Sequence, residues 1–293
     1  MKIKKLSHLI LFILVMLCAA GGFVAYRSYT EANSGGLAPV IFYETDVIYA
    51  KVGVTDEELL AGMTASDDKD GDVTDSLVVE GISQFVDKNT CVVTYAAFDS
   101  SDNVGKATRT LVYTDYHPPR FELSQPMSFK YDININILGH ITAWDCIDGD
   151  ITKKIKVTIE SDVMSIYEPG IYDLRFRVTN SMGDTSYLPI NLEIKDASYS
   201  VPASAPKTKL SKYLEYLEVG EGFDPFSYVR SVSIDNTEVN PYMYGRNNIE
   251  VRSSVNTEVP GIYTVEYITT SKDGYRYSVP LIVVVEPGTE VYE

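Results

Sequence analysis

Two stretches of this chain concentrate carboxylates at a spacing that suits a hard cation. Asp67, Asp68, Asp70 and Asp72 fall within six residues, and Asp145, Asp148 and Asp150 repeat the arrangement 78 positions later. Oxygen clusters of this kind coordinate Ca²⁺, which takes roughly six to eight oxygen ligands. An EF-hand loop places acids or amides at its first, third and fifth positions, ahead of a glycine. Counted back from Gly71 those positions hold Ser66, Asp68 and Asp70; from Gly149 they hold Trp144, Cys146 and Asp148. The second copy lacks two of these ligands, so a true EF-hand is excluded. A tight turn is the simpler reading: Gly71 and Gly149 supply positive φ, and the Asp side chains cap nearby amides. A calcium site shared with a neighbouring loop is the alternative. Paired carboxylates also hydrolyse glycosides. Nothing else in the sequence suggests a substrate cleft, so a glycosidase is a remote reading.

Tyrosine rings stack on sugars, and Tyr242, Tyr244, Tyr275 and Tyr277 are the candidates for such a platform. The competing reading is a strand residue with an apolar body and a wet tip. Cys18 lies in an apolar N-terminal segment, leaving Cys91 and Cys146 in different parts of the body; Cys91 is expected to be a buried thiol. His8, His117 and His140 are too scattered for a metal cluster or a triad. No phosphate loop or nucleophile elbow is present. No cofactor is expected, calcium being the possible exception, and the body is read as non-enzymatic.

The elements that carry these residues repeat. Ala65–Thr74 returns as Ala143–Thr152, and Glu168-Pro169-Gly170-Ile171-Tyr172 returns 91 positions on as Val259-Pro260-Gly261-Ile262-Tyr263. Pro189 and Pro280 keep the same offset of 91, so the match covers a whole hairpin. Tyr172, Leu174, Phe176 and Val178 alternate with Asp173, Arg175 and Arg177, a period of two with one apolar face. Turns at residues 99–105, 180–184 and 271–274 each separate two such strands, predicting a hairpin at the end of every unit. No sustained helical period follows residue 30. The fold class is therefore all-β: tandem β-sandwiches at 38–116, 117–196 and 197–287, with a stalk at 31–37 and a tail at 288–293.

The chain of 293 residues carries 25 Lys+Arg and 41 Asp+Glu, a net charge of −16. Lys2, Lys4, Lys5 and Arg27 all precede the first acid, so the rest holds 21 basic residues (25 − 4) against 41 acidic, a net of −20. Such a body repels phosphate backbones, which excludes nucleic-acid binding. Residues 1–30 read as a basic cytoplasmic tip followed by an apolar segment at 9–26, about 27 Å of helix and nearly a bilayer span. The positive flank stays inside, placing the body outside the cell membrane. Cys18-Ala19-Ala20-Gly21-Gly22 also offers a signal-cleavage site, which would release the body. Leu17 before Cys18 disfavours lipidation.

The first two units resemble the bacterial immunoglobulin-like domains of pesticidal crystal proteins and Gram-positive surface proteins. The resemblance rests on the Ala-x-Asp-x-x-Asp-Gly-Asp-(Val/Ile)-Thr loops, on Pro169–Tyr172 and on the Asp99–Gly105 hairpin. The third unit keeps Val219–Pro225 and Pro260–Tyr263 but has Asp235-Asn236 in place of the acidic loop. The resemblance implies tandem immunoglobulin-like sandwiches at a cell surface, covering roughly residues 38–287. It implies adhesion, binding or spacing toward an extracellular protein or polysaccharide, a carbohydrate-binding accessory role being the alternative.

Overall fold

The computed structural model describes residues 16, 18–26, 36–132, 135–160 and 168–287. Residues 18–26 are helical. Among the described residues no helix is long and apolar enough to cross a membrane. Much of the expected span at 9–26, most of the stalk and the tail lie outside the described residues.

The body is all-β, and among the described residues its strands fall into three sets of seven. The first comprises β1 (Val40–Phe42), β2 (Val47–Ala50), β3 (Thr64–Asp67), β4 (Gly71–Asp72), β5 (Val78–Ile82), β6 (Thr90–Phe98) and β7 (Val104–Tyr113). The second comprises β8 (Arg120–Leu123), β9 (Ser128–Lys130), β10 (Ile141–Asp145), β11 (Gly149–Asp150), β12 (Lys156–Ile159), β13 (Gly170–Thr179) and β14 (Thr185–Lys195). The third comprises β15 (Lys207–Leu210), β16 (Leu214–Glu218), β17 (Val229–Ile234), β18 (Thr237–Val239), β19 (Ile249–Ser253), β20 (Gly261–Thr270) and β21 (Arg276–Glu286).

Each set forms a three-stranded and a four-stranded sheet with one shared topology. The smaller sheets run β1-β3-β4, β8-β10-β11 and β15-β17-β18; the larger run β2-β7-β6-β5, β9-β14-β13-β12 and β16-β21-β20-β19. Sequence repetition has therefore become repetition of strand order. Contact density divides the chain into two compact units, Met1–Val112 and Tyr113–Glu293, so the second unit contains two of the three sandwiches.

Alternation explains the strands. In β13, Tyr172, Leu174, Phe176 and Val178 are buried while Asp173, Arg175 and Arg177 are exposed. The antiparallel partner β14 buries Leu188, Ile190, Leu192 and Ile194 in register with them. Phe121, Leu123, Ile141 and Ala143 of the smaller sheet close the same core from the other side. Each such side chain contributes about 1.5–3 kcal/mol on burial, so these sets dominate the sandwich. Leu210, Val229 and Val232 meet Val265, Tyr267, Leu281 and Val283 in the same way in the third sandwich. In the first, Cys91, Val93, Tyr95 and Leu111 are wholly buried on the larger sheet. Gly105 of β7 admits no side chain, because a Cβ there would lie 1.8 Å from the Pro39 carbonyl oxygen.

One short helix interrupts the first sandwich. Asp56–Leu60 starts at a capping box in which Glu58 N–H donates to Thr55 Oγ1 (3.3 Å) and Thr55 N–H donates to Glu58 Oε2 (2.9 Å). Buried Tyr95 donates its hydroxyl to the Leu59 carbonyl (3.2 Å), tying the helix to the large sheet.

Within the second unit the two sandwiches share packing. Leu214 belongs to the core of the second sandwich, with Tyr213, Tyr216, Ile282 and Val284 of the third packed against it. Tyr216 Oη accepts from the Phe121 amide (2.9 Å), and the Arg120 guanidinium lies 5.3 Å from the Tyr216 ring centroid. Arg120 also pairs with Glu286 in a half-buried ion pair. Burial pushes the Tyr216 hydroxyl up to about 12, so it stays a neutral hydrogen-bonding group at physiological pH.

Candidate functional site: two acidic loops and a tyrosine cluster

The two Asp-Gly-Asp loops are built alike. In each, the first carboxylate caps the turn: Asp67 Oδ1 accepts from the amides of Lys69 (2.8 Å) and Asp70 (2.9 Å), and Asp145 Oδ1 from Ile147 (3.0 Å) and Asp148 (2.9 Å). Gly71 and Gly149 follow at φ +73° and +72°, a conformation glycine adopts without a Cβ penalty. Asp72 and Asp150 then cap the amides of Thr74 (3.0 Å) and Thr152 (2.9 Å). These hydrogen bonds hold both carboxyls below their ordinary values. Thr74 and Thr152 complete the loop, their hydroxyls accepting from the amides of Ala65 and Ala143, each at 3.1 Å.

Each loop also grips the turn of the following hairpin. Asp70 accepts from Ser100 N–H (2.6 Å) and Oγ–H (3.0 Å). Asp148 accepts from Ser181 N–H (2.8 Å) and from its hydroxyl. Burial pushes Asp148 up, but Lys154 and Ser181 outweigh that and hold it below the ordinary carboxylate value.

The loops part company at the residue before that serine. Sandwich two carries Asn180, whose amide donates to Asp145 Oδ2 (3.1 Å) and to Tyr116 Oη (3.0 Å), and whose carbonyl accepts from Asp184 N–H (2.9 Å). Tyr116 donates to Asp184 Oδ2 at 2.6 Å; burial and that carboxylate push its hydroxyl well above the ordinary phenol pKa range. Both carboxylate oxygens of buried Asp145 thus have a partner. Sandwich one carries Asp99 at the same place, with Asn103 where sandwich two has Asp184. Asp99 accepts from the amides of Ser101 (2.9 Å) and Asn103 (2.7 Å) and from the Asn103 side chain (2.7 Å). Burial raises Asp99, and the Asn103, Ser101 and Lys69 interactions together overcome it, leaving the group below its ordinary value.

Asp99 therefore supplies a carboxylate where Asn180 supplies an amide. One carboxylate oxygen from each of Asp67, Asp70 and Asp99 lies within 4.8 Å of the others, the spacing of oxygens around one Ca²⁺. Asp67 is only 7% exposed, and its Oδ2 has no hydrogen-bond partner. The acids of the first loop thus separate by role. Asp67 and Asp70 join the cluster, Asp72 caps Thr74, and Asp68 accepts from Leu37 N–H (3.3 Å). Asp99 escaped sequence reasoning because it reads as a hairpin turn residue; its available signal was the alignment of the turns at 99–105 and 180–184, which sets it opposite Asn180. In the third sandwich Asp235 and Asn236, at φ +49° and +62°, form a two-residue hairpin turn between β17 and β18.

The four tyrosines are divided. Tyr242 is 86% exposed, whereas Tyr244, two residues on, packs against the third core. Tyr275 donates to Tyr199 Oη (3.1 Å), and Tyr199 also carries the Lys195 ammonium 4.4 Å from its ring centroid. Tyr277 lines a cavity of about 580 Å³ in the second unit, together with Tyr199, Tyr213, Phe129, Pro280 and Ile282. Both body cysteines are free thiols: Cys91 is buried, which pushes it up to about 11, and Cys146 Sγ–H donates to the His117 carbonyl (3.4 Å).

No family model matches this chain. A region of 125 residues is 28% identical to an uncharacterized 81.3 kDa protein of Acholeplasma phage L2, covering 41% of this chain and 17% of the phage protein. Among solved structures, the M60 catalytic domain with two CBM51 domains of Clostridium perfringens ZmpB aligns at TM-score 0.23 and 13% identity, over 86% of this chain and 31% of that one. Mouse cadherin-23 EC22-24 aligns at TM-score 0.21 and 13% identity, over 86% and 99%. The lipoprotein BT2262 of Bacteroides thetaiotaomicron aligns at 0.22 and 17%, over 57% and 80%. Likeness at this level adds nothing to the β architecture already evident in the strands.

Proposed function

We propose that this chain is a bacterial surface protein, held at the membrane through residues 9–26. Its three immunoglobulin-like sandwiches act without catalysis as an adhesion, binding or spacer module. The observation that carries the reading is the joint within the second unit. The packing of Leu214, Tyr213 and Tyr216 on the neighbouring core, closed by Arg120–Glu286, turns two sandwiches into one stiff body. A stiff tandem body suits presentation of a surface at a distance. The shared seven-stranded topology and the paired acidic loops support immunoglobulin-like membership.

A second reading, a carbohydrate-binding accessory protein, draws on the cavity lined by Tyr199, Tyr213 and Tyr277, whose rings are of the kind that stack on sugars. Co-sedimentation of the purified chain with cell-wall polysaccharide separates the two. The adhesion reading expects no retention by polysaccharide and retention by intact cells through protease-sensitive sites. Retention by polysaccharide that is lost in Tyr277→Ala moves the protein to the second reading. Release of reducing ends from the polysaccharide would sink the non-enzymatic reading altogether.

A further inference from the structure

We propose that Asp67, Asp70 and Asp99 form a calcium site in the first sandwich, and that the matching loop of the second sandwich has exchanged its cation for hydrogen bonds from its own side chains. Two observations carry this independently of the acidic composition. The first is the orphaned Oδ2 of Asp67, buried without a donor. A buried carboxylate oxygen left without a donor or a cation is costly. The second is the sister loop, where the corresponding oxygen, Asp145 Oδ2, receives the Asn180 amide. The repeat identifies Asp99 as the occupant of the Asn180 position, so in sandwich one a carboxylate faces the same place as that amide. Two carboxylates cannot satisfy each other there without a positive charge between them.

The two loops carry the same formal charge and neutralise it differently. Asp67, Asp70 and Asp99 with the nearby Lys69 sum to −2, as do Asp145, Asp148 and Asp184 with Lys154. In the second loop the Lys154 ammonium lies 2.8 Å from Asp148 Oδ2, and Tyr116 donates to Asp184 Oδ2. Ser76 of sandwich one occupies the place of Lys154 and donates its hydroxyl to the Val73 carbonyl instead (2.7 Å). Asp70 is exposed, so an ion enters from solvent and water fills its remaining positions. Three carboxylates on a solvent-open loop suit a Kd on the order of 10⁻⁴ to 10⁻³ M, the range of extracellular modules. Ca²⁺ fits better than Mg²⁺, which demands a tighter octahedron and gives up its water reluctantly.

The test is calorimetric titration of the chelator-stripped, detergent-solubilised full chain with CaCl₂ and, in a parallel arm, MgCl₂. One calcium per chain is expected, with Mg²⁺ at least ~10-fold weaker. Calcium at about 100-fold over its Kd should raise the melting temperature of the first unit by roughly 10 °C. Asp99→Asn rebuilds the second loop's solution in the first. It should weaken calcium binding at least ~30-fold while melting no lower than the parent in chelator, because the new amide supplies Asp67 Oδ2. Asp70→Asn, at an exposed position, gives a second variant with the same expected loss. An absence of calcium binding, undiminished binding in the folded variants, or two equivalent ions per chain would each overturn the proposal.

Discussion

The acidic loops of sandwiches one and two share a backbone path, a glycine at the same φ and the same two aspartate caps, yet they settle their buried charge differently. In sandwich two the first carboxylate is enclosed by Ile147, Asp148 and Asn180, and Tyr116 passes the network on to Asp184. In sandwich one the acid and amide of the hairpin are exchanged, Asp99 and Asn103 standing where Asn180 and Asp184 stand in the other. That single exchange leaves Asp67 Oδ2 without a donor. A turn motif therefore fixes shape, while a residue some thirty positions away sets whether the turn is self-sufficient or seeks an ion.

The largest test of this contrast is Asp145→Asn against Asp67→Asn. Asn at 145 sets one amide against another or abandons the capped amides, and should cost about 2–4 kcal/mol in urea unfolding of the second unit. The same change at Asp67, measured in chelator, should cost under about 1 kcal/mol, because that side chain already lacks one partner. Equal losses would break the contrast.

Next in size is Tyr116→Phe. It removes the acceptor of Asn180 and the donor to Asp184, with an expected loss of about 1–3 kcal/mol and no effect on calcium affinity in the first unit. Gly71→Ala and Gly149→Ala should each cost about 1–2 kcal/mol, since both hold left-handed φ. Similar values would sharpen the claim that the two turns are built alike. Lys154→Met should have the smallest effect, under about 1 kcal/mol, its ammonium being half exposed. Asp148 titrates below its ordinary value when folded, so its contribution is present near neutrality and fades as pH falls through the carboxylate range. Without Lys154 that fade should be shallower in pH-dependent urea melts.

Much of the architecture was legible in residue pattern. The alternation at Tyr172, Leu174, Phe176 and Val178 reappears as a buried face, and the predicted turns at 180–184 and 271–274 are the β13–β14 and β20–β21 connections. The helix Asp56–Leu60 was missed, although Thr55 and Glu58 carry a capping-box signature, because five residues are too few for a helical period to register. Tyr242, Tyr244, Tyr275 and Tyr277 did not prove to be one platform. Tyr242 and Tyr244 lie two apart on the helical turn Pro241–Tyr244, where that spacing turns them to opposite sides, and spacing does not say which neighbour each ring meets.

Short-range rules thus settle what depends on period and on local amide capping: strand, turn, the glycine positions and the aspartates that close each loop. Asp99 and Asn180 belong to another category. Their meaning arises where a hairpin turn folds back onto a loop about thirty residues earlier, and the chemistry there depends on which side chain arrives. An amide brings hydrogen and closes the network; a carboxylate brings charge and leaves it open to a cation. Long-range packing makes that selection, because desolvation of Asp67 and Asp145 is felt once the sheets have closed over them.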